Sequence, residues 1–99
     1  MKNHIFEEIR KERQRQDEKW GKQNHPMLDV PLTLEAMLDN AKSYKALNDS
    51  RINPNWFLIL LEEVYEAFAE IEPEKQRAEM IQVAAVAVQI IEYLDRRIE

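Results

Sequence analysis

Residues 80–91 form the most constraining stretch of this chain, because every side chain there is apolar except Gln82 and Gln89. Read as a helix, the stretch is apolar on all sides, whereas a helix at the edge of a domain needs only one apolar stripe. A chain of 99 residues has room for a single core, so we read residues 1–99 as one domain. A four-helix monomer of this size covers such a helix on one or two sides only. The remainder is expected to be covered by a second subunit. The other reading is that Ala84, Ala85 and Ala87 form a tolerated outer face.

Composition narrows the class further. The single glycine leaves no glycine loop to cradle phosphate, and it disfavours a turn-rich all-β fold. With no cysteine there is neither a disulfide framework nor a thiolate metal site. A net charge of -5 argues against binding a nucleic-acid backbone. The longest apolar run is far too short for a membrane span, and nothing near the start resembles a signal peptide. A cytoplasmic helical protein with no membrane or nucleic-acid partner is the expectation.

Helix punctuation divides the chain into four segments. The first helix is predicted over residues 2–20, with Ile5, Phe6 and Ile9 on one stripe and Gly21 at the C-cap. A connection containing Asn24, His25, Pro26 and Pro31 follows, with His25 read as a loop residue. Thr33 is the expected N-cap of a second helix ending near Leu47, broken by Asn48, Asp49 and Ser50. Asn53 and Pro54 pair an N-cap with a first-turn proline, predicting a third helix to about Ile71. Pro73 starts the fourth. There is no internal repeat. The expected fold is all-α, a four-helix arrangement built on an antiparallel hairpin and completed by oligomerisation.

The hairpin is where chemistry is expected. Its helices meet at Pro73 with almost no linker, so positions equidistant from the turn lie at similar heights. Glu66 then stands level with Glu79, and Glu63 with Gln82, while Glu62 lies within reach. Such oxygen donors suit a hard divalent cation, Mg2+ or Mn2+. A bound cation would also relieve repulsion among the carboxylates. The histidines expected of a di-iron bundle are missing. The competing reading is a solvated acidic face. On the third helix Phe57, Leu60, Leu61, Val64, Phe68 and Ile71 form the apolar stripe, with Glu66 opposite. On the fourth, Glu79 heads the apolar stripe Val83, Val86 and Ile90, where an unpaired charge is costly.

The first helix offers a substrate surface, because its inward stripe continues as Arg13, Gln16 and Trp20. Trp20 is read either as a base-stacking residue or as a core anchor. Gln16 or Asn24 is placed to read a base edge, and Arg13 or Lys19 to meet phosphate. Arg13 can equally snorkel along the surface. Lys42 and Lys45 of the second helix read as a solvated face.

The string Glu62-Glu63-Val64-Tyr65-Glu66, followed by Glu79-Met80-Ile81-Gln82 in an apolar helix, resembles the acidic motif pair of the MazG-like all-α nucleoside triphosphate pyrophosphohydrolases. Residues 12–21, with Gln23-Asn24-His25-Pro26, resemble a short phage and bacterial branch of that superfamily. Residues 29–51 carry no matching motif. The resemblance implies a dimer or dimer of dimers that cleaves a nucleoside triphosphate to the monophosphate and pyrophosphate. It assigns Glu63, Glu66, Glu79 and Gln82 as metal ligands, and Glu62 as a further ligand or water-orienting base. Gln82 stands where the family usually has aspartate. Many relatives continue past the region of Arg96-Arg97 with a basic segment that contacts phosphate, so another cation is expected to serve here. Two other functions remain open: a relative specific for dUTP or dCTP, and a non-catalytic helical interaction protein on the same scaffold.

Overall fold

The computed structural model describes residues 3–28, 31–50 and 55–98, without the side chains of Pro31 and Leu32. Its four helices are α1 (Asn3–Trp20), α2 (Pro31–Ser50), α3 (Trp56–Ala69) and α4 (Pro73–Ile98). The all-α expectation holds. The end of α1 is also as expected: Gly21 adopts φ +68°, and its N–H donates to Asp17 O at 2.8 Å. That left-handed conformation is one glycine adopts without a Cβ penalty.

The bounds of α2 and α3 differ from expectation at both ends. The residues Asn48, Asp49 and Ser50 do not break α2, which continues through all three. Each keeps a bond compatible with the helix. Asn48 donates across to α3, Asp49 pairs with Lys45 at 3.4 Å, and Ser50 Oγ donates back to Leu47 O at 3.0 Å. The α2 start likewise lies at Pro31, ahead of Thr33. The N-cap of α3 is Asn55, whose Oδ1 accepts the Leu58 N–H at 3.0 Å; Asn53 and Pro54 lie outside the described residues. At the other end α3 stops at Ala69, two residues before Ile71.

Packing places α3 between α2 and α4. On the α2 side Tyr65 stacks on Tyr44 with ring centroids 5.2 Å apart. On the α4 side Trp56 meets Tyr93 at 6.4 Å. These contacts use opposite flanks of α3, since the turn from Trp56 to Tyr65 comes to about 180° at roughly 100° per residue. The stripe Phe57, Leu60, Leu61, Val64, Phe68 and Ile71 lies on one side between them. Its two ends, Phe57 and Ile71, are 68% and 69% exposed. Its middle, Leu60, Leu61, Val64 and Phe68, is half-buried, so the expectation that this stripe faces the core fails only at the ends. Glu66, opposite it, is half-buried as well.

Helix α1 attaches lightly. Ile5 is 1% exposed, and His4 Nε2 faces Asp95 Oδ2 at 3.2 Å, whereas Phe6 and Ile9 are exposed. On α4, Val88 is buried while Ile81, Ala84 and Ala85 are exposed. Among the described residues the fully buried apolar side chains are Ile5, Leu58, Ala67 and Val88. The radius of gyration, 15.7 Å, exceeds the about 13 Å of a compact domain this long.

Candidate metal centre

The carboxylates sit where α3 faces both neighbours. Glu62, Glu63 and Glu66, at i, i+1 and i+4, offer oxygens that all lie within 4.8 Å of one another, and all three are half-buried. Glu79 enters from α4, also half-buried, and its charge acts on both Glu63 and Glu66. Asn48 enters from α2. Its Nδ2 donates to Glu62 Oε1 at 2.9 Å and to Leu58 O at 3.0 Å. Three helices thus converge on one group of oxygens.

The electrostatics of the group are strained. Burial, followed by the charges of Glu63, Glu62 and Glu79, pushes Glu66 from its ordinary 4.5 up to about 7. Burial also raises Glu63, with Glu79 and then Glu62 adding to it. Among the described residues three buried side-chain oxygens lack a hydrogen-bond partner: Glu63 Oε2, Glu79 Oε2 and Asn48 Oδ1. All three belong to this group. They are acceptors when the carboxylates are ionised, so they cannot satisfy one another. Buried polar atoms without partners are uncommon, and an ion or water is a frequent reason for them. The donor set, all oxygen and mostly anionic, fits Mg2+ or Mn2+.

A recess of about 260 Å³ opens beside the carboxylates, bordered by Leu38, Ala41, Lys42, Glu66, Ala69, Glu70 and Glu79. Lys42 therefore stands at the edge of the site. Lys45 is held above its ordinary pKa, chiefly by its bond to Asp49, with Glu62 and Glu66 adding charge. Both lysines are exposed, as expected, but they are on the side of α2 that borders the acids. Residues of α2 were the part of the site that sequence reasoning missed. One signal was available: the half-buried positions Leu34, Met37, Ala41, Tyr44 and Asn48 recur at helical spacing, so Asn48 occupies a core-type position.

Gln82 lies three residues beyond Glu79 on an exposed part of α4. The residues singled out on the first helix gather elsewhere. Arg13, Gln16 and Trp20 line a depression of about 650 Å³ with Asp17, Gly21, Lys22 and Gln23. Within it Arg13 donates to Gln16 Oε1 at 2.7 Å and to Asp17 Oδ1 at 2.8 Å. Lys19 Nζ stands 4.8 Å from the Trp20 ring centroid, while Asn24 is exposed further along the connection. Trp20 is 53% exposed, so the core-anchor reading of this residue does not hold within the chain. The adjoining groove of α1 reaches α4 at Ile91, about three turns along that helix from Glu79. Base-reading and acidic candidates thus occupy separate places. Comparison with protein-family models, curated proteins and solved structures gives no match to this chain, and its site is read from its own geometry.

Proposed function

We propose that this chain is a cytoplasmic, metal-dependent nucleotide pyrophosphohydrolase of the MazG-like kind, cleaving a ribo- or deoxynucleoside triphosphate to the monophosphate and pyrophosphate. The observation that carries this reading is the group of unpartnered, half-buried oxygens around Glu62, Glu63, Glu66 and Glu79. These side chains would hold Mg2+ or Mn2+. The cation would supply charge neutralisation at the phosphate oxygens and a bound water of lowered pKa. Glu62 would serve as a further ligand or orient the water, with one oxygen held by Asn48 and a hydrogen bond shared with Glu66. Lys42, at the rim of the recess, is the nearest candidate to meet a phosphate. The Trp20 depression would contact the base only if the partner subunit or a movement of α1 brings it to the acids.

The proposal includes self-association. The chain exposes 7838 Å², against about 5,900 Å² for a compact monomer of 11.8 kDa. That excess, roughly 1,900 Å², is ample against the about 800 Å² each partner contributes to a standard interface. The apolar stripe exposed at Phe57 and Ile71 is the surface that best suits a second copy.

A non-catalytic interaction protein is the second reading, favoured by the neutral, exposed Gln82 in the place of an acidic ligand. One assay separates the readings: pyrophosphate release from each ribo- and deoxynucleoside triphosphate with Mg2+ and with Mn2+. Turnover lost in Glu66→Gln and Glu79→Gln supports the enzyme. Activity confined to dUTP or dCTP selects the specific relative. No release from any nucleotide, despite metal binding, selects the interaction protein.

A further inference from the structure

We infer that Asn48 is a positioning residue for the metal site, acting through Glu62. The inference rests on the metal reading above. Asn48 lies on the last turn of α2, within a run that local propensity marks as a helix end, yet it is half-buried and faces α3. Its two neighbours there are both acceptors: the Leu58 carbonyl at 3.0 Å and Glu62 Oε1 at 2.9 Å. Only the amide NH2 can serve two acceptors, so the orientation of the side chain is determined by its partners.

The arrangement leaves Asn48 Oδ1 buried with no partner. If Asn48 were only a tether between helices, that orphan would be a defect, because an apolar side chain of similar shape would fill the same space without it. The Leu58 carbonyl lies within α3, where helical bonding already occupies it. The distinctive gain from an amide is the bond to Glu62. That bond fixes one oxygen of a carboxylate that lies within 4.8 Å of Glu63 and Glu66, and so selects its orientation.

The test is a calorimetric Mn2+ titration of the full chain, with melting curves in chelator. Asn48→Leu removes the donor and the orphaned acceptor together. Positioning predicts Mn2+ affinity weakened roughly tenfold or more, as for other partners that orient metal ligands, with the metal-free melting temperature unchanged or raised. A tether predicts the reverse, a lowered melting temperature with Mn2+ affinity intact, and that result overturns the inference. Asn48→Ser, too short to reach Glu62, is the second variant should leucine prevent folding, and the same loss of affinity is expected. In a Glu62→Ala background, Asn48→Leu should weaken Mn2+ binding no further; a full additional loss overturns the route through Glu62. Wild-type protein that takes up no Mn2+ overturns the metal reading and this inference with it. Uptake by wild type that Asn48→Leu and Asn48→Ser both match overturns the inference alone.

Discussion

Glu66 concentrates the residue-scale consequences of the fold. Its folded pKa, about 7, exceeds the ordinary 4.5, so between these values the folded chain holds a proton that the unfolded chain has lost. The stabilising contribution is complete below the ordinary value and is lost as pH rises through about 7. Melting curves in chelator should therefore show stability falling from about pH 5 to about pH 7.5. Glu66→Gln should flatten that slope and raise metal-free stability at neutral pH. Equal slopes for wild type and Glu66→Gln would count against the strained cluster. Gln82→Asp should tighten Mn2+ binding in a calorimetric titration if this position reaches the ion, and leave it unchanged if it does not. The acidic motifs were legible because three- and four-residue spacing puts side chains on one face. The sequence did not show that this face is covered from two sides, nor that α2 supplies Asn48.

At the scale of the element, caps and partners decide where helices end. Asn55 accepts the Leu58 N–H, which satisfies one of the unpaired donors in the first turn of α3. Asn55→Ala should cost about 1 kcal/mol in chemical denaturation; no measurable loss would place the start of α3 elsewhere. At the end of α1, a Cβ on Gly21 meets nothing within 4 Å, so the effect of Gly21→Ala comes from its φ of +68° alone. The expected cost is about 1 kcal/mol, read as reduced helicity by circular dichroism. Gly21 was legible because a positive φ calls for glycine. The end of α2 was not. Asparagine, aspartate and serine compete locally for backbone bonds and read as a stop, but Asn48 finds partners on α3 that no local rule contains.

At the scale of the whole molecule, several large apolar side chains are left uncovered by its own helices. Phe57 stands out on α3, Ile71 just beyond its end, and Ile81, Ala84 and Ala85 on α4. None of the described helices is long and apolar enough to cross a membrane. Light scattering at micromolar concentration should give a multiple of 11.8 kDa for the wild type. Phe57→Glu with Ile71→Glu should reduce the mass toward a single chain while circular dichroism stays helical. A wild-type mass equal to one chain would sink the self-association proposal. A helical double variant that keeps the wild-type mass would move the interface to another face.

Sequence alone determined the four helices, the left-handed cap at Gly21 and the grouping of acids on one face of α3. Each follows from local geometry: helical periodicity, the freedom of glycine, and the rotation of about 100° per residue. Tertiary structure decided how far each side of α3 is covered. A periodic pattern defines a face but not its neighbour, and here α3 lies between α2 and α4, so the side that carries Glu66 is half-buried along with the middle of the apolar stripe. That cover converts a string of acids from a solvated surface into a half-buried group with unpartnered oxygens.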